Sequence, residues 1–453
     1  PNKSKINKMN MNTLKISKAF FVILAAILFS TGSGLFSQNT IKEIDVDGFK
    51  VIIKNTGKDV ISTRLFVTGG TANYPLEKQG IEAVAYSYII KGGTTTMSKS
   101  DFLAAAEKMG TTFGSDASLD FGELNMQCLK ESWDKSWVLF TDALMNPAYD
   151  PNEFANKKEQ YISYARQNEG DPDSRLERIT VETAFKGKNY EKDPYGNENT
   201  LAALTLDDIK AFIKANLCKQ RAFLVVAGNV SESDLIEKVR STLAKLPEGT
   251  PSPKEQVTKI EQPGQDIESR KISTNYLSGI MSGIPWDSPD AIAMMVAMSI
   301  MYDKYFVELR SKRGLSYAPA AYMNGDAITN PFSVFYITTD HPKDAINVMV
   351  DIINNVRKNG FTDDEFAKSK SAYLTRYFMR LETASSQTQN IGRWKLRGNL
   401  NAFDNFEALV NAVTVQDINR VFTSNTGNIK WNYLGDETKV SPEDFKQLEK
   451  IGF

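Results

Sequence analysis

The sequence has 453 residues, of which 41% are hydrophobic and 24% are charged, and this ordinary globular composition excludes collagen-like, low-complexity and wholly disordered proteins. Lysine and arginine (54) balance aspartate and glutamate (55) without forming a basic stripe with interleaved aromatic residues, so the electrostatic signature of nucleic-acid binding is missing. With one histidine, His341, and two cysteines, Cys128 and Cys218, the chain alone cannot build a zinc site that needs two imidazoles.

The amino-terminal segment has the layout of a secretory signal peptide. Lys15 and Lys18 precede an apolar run over residues 19–29, and a small and polar stretch follows it. We predict a signal peptide over residues 1–37, with cleavage near Ser37 or Gln38. Eleven apolar residues fall short of the roughly 20 that a transmembrane helix needs, although a retained membrane anchor stays as the alternative.

Export has consequences for compartment and charge. Removing residues 1–37 takes away five lysines and no acidic residue, so the mature protein is mildly acidic. We expect a periplasmic or secreted protein that makes no stable membrane insertion after cleavage. An oxidising compartment permits a disulfide between Cys128 and Cys218, but two separate small apolar side chains are the favoured interpretation.

Strands and helices occur in separate blocks along the mature chain. Alternating apolar residues predict strands at 49–55 and 64–70. Helical periodicity that starts with Asp, Ser or Thr predicts helices at 98–110, 151–167 and 205–217. The block arrangement favours an α+β sandwich with a sheet on one side and helices on the other. No Gly-rich phosphate-binding motif follows a strand, which disfavours a doubly wound nucleotide-binding fold.

The chain contains one internal repeat. Residues 149–162 match residues 361–374 at an offset of 212, and the matched pairs include Tyr161 with Tyr373. A second match, of residues 204–212 with residues 413–422, recurs at an offset of 209. Between the copies lies a proline-rich, charged segment that is typical of an exposed linker. We therefore predict a domain at 38–245, a linker at 246–266 and a homologous domain at 267–453.

Four segments of the mature chain carry local motifs: residues 80–93, 109–124, 194–212 and 308–319. In this order and spacing they resemble the pitrilysin or insulinase family of zinc metallopeptidases, the inverted zincins. The first is similar to the family's Gly-x-x-His-x-x-Glu-His helix, the second to its edge strand beside the cleft, and the third to a loop and helix common there. The fourth is similar to a segment of the family's second half. The resemblance implies an insulinase-like fold of two homologous strand-and-helix sandwiches.

The zinc motif itself is lost in this sequence. Aligned on the flanking glycines, the family's first His, catalytic Glu and second His fall on Ala83, Tyr86 and Ser87. None of these side chains can replace the residue that the family uses at that position. The third ligand is expected near Tyr164, where the nearest carboxylates are Glu159 and Glu169. The sequence therefore predicts no metal site, no cofactor and no catalytic residue in this chain, and negligible peptidase turnover by the chain alone.

The resemblance also implies a surface that can hold a peptide. In the family, substrate adds as a strand to an edge in the first half, and an Arg and a Tyr seven residues apart grip the substrate backbone. Arg310 and Tyr317 stand at that spacing and are the predicted substrate-binding residues, with Arg313 as the competitor for the Arg role. The alternative interpretation is a solvated basic helix end that closes on Gly314.

These expectations lead to a function hypothesis and its rivals. The leading hypothesis is a secreted, inactive peptidase homologue that binds peptide or unfolded polypeptide beside a zinc-bearing insulinase-like paralogue. A stand-alone peptide-binding or structural homodimer is the second hypothesis, and an active metallopeptidase with unconventional ligands is the third. His341, just before a proline, is expected at a loop or helix cap, and the methionine-rich segment 291–306 is expected in the core.

Overall fold

The computed structural model describes residues 40–449, so the predicted signal peptide and its cleavage point lie outside the described residues. The first half is built from six strands and eight helices. Its strands are β1 (Lys42–Val46), β2 (Phe49–Asn55), β3 (Val60–Thr68), β4 (Thr112–Ala117), β5 (Phe121–Leu129) and β6 (Ala222–Gly228). Its helices are α1 (Ile81–Lys91), α2 (Lys99–Lys108), α3 (Trp133–Met145), α4 (Pro151–Gly170), α5 (Pro172–Ala184), α6 (Glu198–Ala202), α7 (Leu206–Asn216) and α8 (Glu232–Ser241).

The second half follows after residues 246–263, which contain no helix or strand. Its strands are β7 (Gly264–Ser269), β8 (Asn275–Ser282), β9 (Ala320–Met323), β10 (Phe332–Thr339) and β11 (Lys430–Gly435). Its helices are α9 (Ala291–Tyr305), α10 (Pro342–Asn359), α11 (Asp363–Arg380), α12 (Ala384–Leu396), α13 (Ala402–Ala412) and α14 (Val415–Asn425). A π-helical turn, Phe306–Lys312, continues α9.

Each half forms one mixed sheet covered by helices, which confirms the predicted α+β class. The first sheet has the order β1-β2-β6-β3-β5-β4, with β2 and β6 parallel and the other neighbours antiparallel. The second has the order β7-β11-β8-β10-β9, with only β7 and β11 parallel. In each sheet a short edge strand, β4 or β9, follows the first long helix of that half.

The two halves exchange one helix each. Helix α5 of the first half packs on β8 and β11, whereas α12 of the second half packs on β3 and β6. Hydrogen bonds cross both contacts, from Ser62 to Thr388 (3.0 Å between hydroxyl oxygens) and from the Thr183 hydroxyl to Asn432 Oδ1 (2.9 Å). From Ile41 onward the chain therefore forms one compact unit.

Local sequence explains the helix boundaries. Helix α4 begins with Pro151 at its first position, and the Asp150 carboxylate accepts hydrogen bonds from two backbone N–H groups of the first turn. Capping boxes start α7 at Thr205 and α14 at Thr414, the two segments matched by the second repeat. Duplicated caps thus begin duplicated helices, as the repeat predicts.

Candidate functional site

Helix α1 carries the segment whose sequence resembles the family's zinc helix. Gly80 precedes it with a φ of 90°, a conformation that favours glycine, and a Cβ there would come within 2.8 Å of the Tyr195 carbonyl oxygen. Ala83 and Tyr86 are buried, and Ser87 is half-exposed. Ser87 is the one residue among the first ten of α1 that is not buried. Its side chain is therefore the part of this helix that can contact the candidate site.

Tyr86 is a core side chain rather than a polar group of the site. Its ring lies 5.9 Å from the Phe212 ring, and a Cβ on Gly122 of β5 would fall 2.3 Å from its Cε2 atom. Burial raises the pKa of the Tyr86 phenol well above its usual value. The position that the sequence aligns with the family's catalytic glutamate therefore holds a neutral ring packed into the core.

A cluster of tyrosines fills the rest of the site. The Ser87 hydroxyl lies close to the Tyr161 phenol of α4, whose pKa it lowers against the effect of burial, and the rings of Tyr164 and Tyr195 meet edge to face at 6.1 Å. The Tyr195 hydroxyl donates a hydrogen bond to Asp116 on edge strand β4. Burial, followed by the charge of Asp116, raises the pKa of Tyr195. We refer to Ser87, Tyr161, Tyr164, Tyr195 and Asp116 as the tyrosine cluster.

These residues do not fit a zinc ion. Ala83 has no donor atom, the Ser87 hydroxyl is a poor zinc ligand, and burial raises the pKa of Tyr161, which keeps its phenol protonated. Asp116 is the cluster's one carboxylate. Within residues 40–449, no three His, Cys, Asp or Glu side chains come together as a metal-binding group. No zinc site is therefore assigned within this part of the chain.

The residue of α4 that lies beside Ser87 is one helical turn from the position predicted for the third ligand. The sequence places the third ligand near Tyr164, but the structure brings Tyr161 against Ser87. The neighbouring carboxylates point elsewhere: Glu159 is exposed and lies 3.9 Å from Arg166, and Glu169 pairs with Arg178 and Arg175. The internal repeat already marks Tyr161 through its match with Tyr373, and that signal could have identified it.

A cavity of about 350 Å³ opens beside the tyrosine cluster, and we call it the first-half cavity. Helices α4 and α5, the loop around Asp193 and part of the second half line it. Six carboxylates, one arginine and one lysine line this cavity: Glu169, Glu177, Glu182, Glu191, Asp193, Asp326, Arg178 and Lys192. Burial raises the pKa of Asp193 to about 6, although the Tyr195 backbone N–H and Arg178 oppose this rise. The first-half cavity is thus acidic.

The second half has a cavity at the equivalent place, here called the second-half cavity, with a volume of about 790 Å³. The offset of 212 places Ser299 on Ser87, and Ser299 accepts a hydrogen bond from Arg376 Nη2 at 2.9 Å, as Ser87 contacts Tyr161. Met295 and Met298, the counterparts of Ala83 and Tyr86, line the cavity. The methionine-rich helix is otherwise core, as predicted, with Met294 and Met301 fully buried.

Arg310 and Tyr317, the predicted substrate-binding pair, contact each other. The Arg310 guanidinium carbon lies 4.4 Å from the centre of the Tyr317 ring and 5.0 Å from that of Phe306. Tyr317 is 79% exposed, just before edge strand β9. The competitor Arg313 lies 3.7 Å from Glu308, whereas Arg310 forms no ion pair with the described residues. Arg310 and Tyr317 as substrate-binding residues stay a prediction.

The remaining candidate residues have structural positions. His341 is exposed and caps α10 ahead of Pro342, which confirms the loop or cap prediction. Cys128 and Cys218 are both buried and free, which agrees with two separate small side chains. Within residues 40–449, no helix has the length and hydropathy to span a membrane.

Two family models match the chain in succession. Residues 50–197 match the model described as Insulinase (Peptidase family M16), and residues 203–373 match the model described as Peptidase M16 inactive domain. Among curated relatives, an uncharacterized zinc protease of Rickettsia felis is 19% identical over 406 residues, which are 86% of this chain and 94% of the relative.

Solved structures share the fold over nearly their whole length. A peptidase M16 inactive domain from Pseudomonas fluorescens superposes with a TM-score of 0.80 at 18% identity, covering 88% of this chain and 98% of that one. A chain of Complex III2 from Candida albicans gives a TM-score of 0.75 at 16% identity, covering 89% of this chain and 98% of that one. These likenesses confirm the insulinase-like fold that the sequence motifs imply.

Proposed function

The chain belongs to the insulinase family, peptidase family M16, and from this premise we propose that it is a secreted, inactive member that serves as the non-catalytic subunit of a zinc peptidase heteromer. The observation that carries the proposal is a contrast between two sites. The place of the zinc ligands holds Ala83, Tyr86 and Ser87, while Arg310 and Tyr317 remain stacked and available to a ligand.

Peptide binding is proposed for two reasons. Edge strand β4 pairs with β5 alone among the described strands, so its other side can accept an extended peptide through backbone hydrogen bonds. Arg310 has no carboxylate partner within the described residues and stands beside an exposed phenol, which suits donation to peptide carbonyl groups. A zinc-bearing paralogue would then supply the reaction that this chain lacks.

A partner of the insulinase type is supported by a structural relative. The matched chain from Candida albicans lies in a multi-subunit assembly, Complex III2, which shows that this fold occurs within larger complexes. The alternative function is a stand-alone peptide-binding homodimer. The hydrogen-bonded pair of Asp116, on β4, and Tyr195 favours the homodimer. A strand edge with polar side chains nearby can bind a peptide without a partner subunit.

The test reconstitutes the heteromer with a zinc-bearing insulinase-like peptidase from the same genome and follows cleavage of a fluorogenic peptide. We expect cleavage that needs both chains and that falls at least about tenfold with Arg310→Ala, because a lost donor to developing negative charge costs this much or more. Tyr317→Phe should reduce the rate by a smaller factor.

Arg313→Ala is the matched control, because Arg313 lies in the same segment but near Glu308. Equal rates for Arg310→Ala, Tyr317→Phe and the control would refute the assigned role of the pair. Peptide binding by a purified dimer of this chain, with no gain in cleavage on mixing, would favour the homodimer instead.

A further inference from the structure

The second-half cavity has an unbalanced positive charge. It is bounded by α9, edge strand β9, α11 and α12, and it measures about 790 Å³. Four arginines line it, Arg376, Arg380, Arg393 and Arg397, against one carboxylate, Asp326. A concave surface with one sign of charge concentrates ligands of the opposite sign.

The single carboxylate is already engaged. Arg393 Nη2 donates a hydrogen bond to Asp326 Oδ2 at 2.7 Å, and Arg393 Nε lies 2.6 Å from Asp326 Oδ1 in the same ion pair. Within this ion pair the charges of Asp326 and Arg393 offset each other. The other three guanidinium groups of the cavity are therefore left without a carboxylate.

Those three groups contact only neutral acceptors among the described residues. Arg376 donates to the Ser299 hydroxyl at 2.9 Å. Arg380 Nε donates to the Arg376 carbonyl oxygen at 3.3 Å, and Arg397 Nη2 donates to the Gly325 carbonyl oxygen at 2.6 Å. Each group keeps further N–H donors for a ligand, since a guanidinium has five.

The positive charge of Arg397 is destabilised by its surroundings. It is only 9% exposed, and its guanidinium carbon lies 3.9 Å from the centre of the Trp286 ring and 4.8 Å from that of Trp394. Its Nε has no hydrogen-bond acceptor within the described residues. Burial lowers the pKa of Arg397 to about 10; the charge of Asp326 opposes this effect, and the neighbouring charge of Arg393 adds to it. A bound anion would offset both the burial and the repulsion.

We propose that the second-half cavity binds the carboxylate groups of an acidic peptide segment, held by Arg376, Arg380 and Arg397. The proposal is independent of the proposed heteromer, because all of these residues belong to this chain. Arginine forks fit carboxylates through two parallel hydrogen bonds, and aromatic rings beside them pack against the peptide's apolar atoms.

Two observations favour a peptide over a small inorganic anion. All four residues of β9, Ala320–Met323, line the cavity, and β9 pairs only with β10 among the described strands. Its free side therefore offers backbone groups to an extended chain. The volume and the aromatic lining, which includes Trp286, Trp394 and Tyr377, also exceed what an inorganic ion fills.

The test is isothermal titration of the purified chain, with no partner present, against a pentaglutamate peptide. We expect binding that weakens as salt is added, because the contacts are ionic. Arg380→Gln should weaken it about tenfold, since a hydrogen bond to a charged group contributes that much. Arg376→Gln combined with Arg380→Gln should abolish measurable binding. Arg380 is exposed, so its replacement leaves the core intact.

Lys368→Gln is the matched control. Lys368 lies on the same helix as Arg380, is exposed, and lines a different cavity, so its loss should leave affinity within about twofold. Pentaglutamine should not bind. Inorganic triphosphate that binds as tightly as pentaglutamate would overturn the peptide assignment. Equal weakening by Lys368→Gln, or no binding of pentaglutamate at all, would overturn the site.

Discussion

The two cavities occupy equivalent places in the two halves but carry opposite charge. Lining residues correspond at the offset of 212: Ser174 and Ser386, Arg178 and Asn390, Glu177 and Gln389, Glu182 and Trp394, Tyr164 and Arg376. The first-half cavity has six carboxylates, whereas the second-half cavity has four arginines and a single carboxylate, Asp326, which borders both. The same helices thus frame an acidic cavity in one half and a basic cavity in the other.

This difference separates what maintains the fold from what determines the chemistry. The capping boxes of α7 and α14 and the exchanged helices α5 and α12 are shared by both halves. The cavity linings, in contrast, differ between the halves in their charged residues. A fold therefore identifies where a ligand can bind, and the side chains determine which ligand it is.

The packing of α12 from the second half on the first sheet can be disrupted by a substitution at Gly392. A Cβ at this position of α12 would lie 2.0 Å from Cε2 of Phe66, whose fully buried ring stacks on Phe223 at 5.0 Å. We expect Gly392→Ala to lower the free energy of unfolding by about 3 kcal/mol through overpacking, despite the gain in helix propensity. Urea denaturation measures this change.

Gly170→Ala is the matched control for that experiment. Gly170 is also a helical residue, the last of α4, but a Cβ there would meet nothing within 4 Å. The control should be neutral or stabilising by up to about 1 kcal/mol, the difference in helix propensity between Gly and Ala. Equal effects at the two glycines would mean that α12 does not pack against the first sheet as described.

A buried carboxylate distinguishes the two halves in their response to pH. Burial raises the pKa of Glu82 to about 8, against the opposing effects of Asn73 and Arg221. Its counterpart at the offset of 212 is Met294, a fully buried apolar residue. The folded protein thus keeps a proton on Glu82 that the unfolded chain releases above the ordinary glutamate pKa of 4.5.

The extra proton that the folded protein holds on Glu82 determines how stability changes with pH. Stability is greatest below the unfolded pKa and is lost as pH rises towards about 8, by up to about 1.4 kcal/mol per unit. Glu82→Gln should flatten this slope and be more stable than the parent at pH 8 by about 4 kcal/mol. Denaturation curves of both proteins at pH 5 to 8 test it, and parallel pH slopes would contradict the assignment. Asp193 also makes stability depend on pH, and it is present in both proteins. The difference in stability between the two proteins therefore isolates the effect of Glu82.

Much of the fold is predictable from the sequence because its signals are local. Alternation predicts β2 at residues 49–55, and caps with helical periodicity predict α2, α4 and α7 to within three residues at either end. The motif alignment also places Ala83, Tyr86 and Ser87 on one helix, as the structure has them. These features depend only on residues close together in the chain.

The cavities were not predictable in the same way because they form between distant segments. Arg376 and Arg397 lie on α11 and just after α12, and only the packing of these helices beside α9 gathers them with Trp286. The exchange of α5 and α12 between the halves likewise leaves no local pattern. The sequence did not identify Tyr161 as the neighbour of Ser87. Helical periodicity predicts which face of α4 is turned inward, but not which turn of that face lies beside Ser87.

The smallest expected effect concerns the paired serines of the two cavities. Ser87→Ala removes the half-buried hydroxyl that lies beside the Tyr161 phenol and should cost about 1 kcal/mol of unfolding free energy. Ser299→Ala removes the bond from Arg376, whose side chain is exposed, so water replaces the lost partner and the cost should be about half as large. Denaturation at low and high salt separates the two, because salt screens only the bond that involves a charge. Tyr161→Phe in the Ser87→Ala background should add nothing further if the two hydroxyls contact each other. A larger cost at Ser299 than at Ser87 would instead mean that Arg376 is held firmly in its cavity without a ligand.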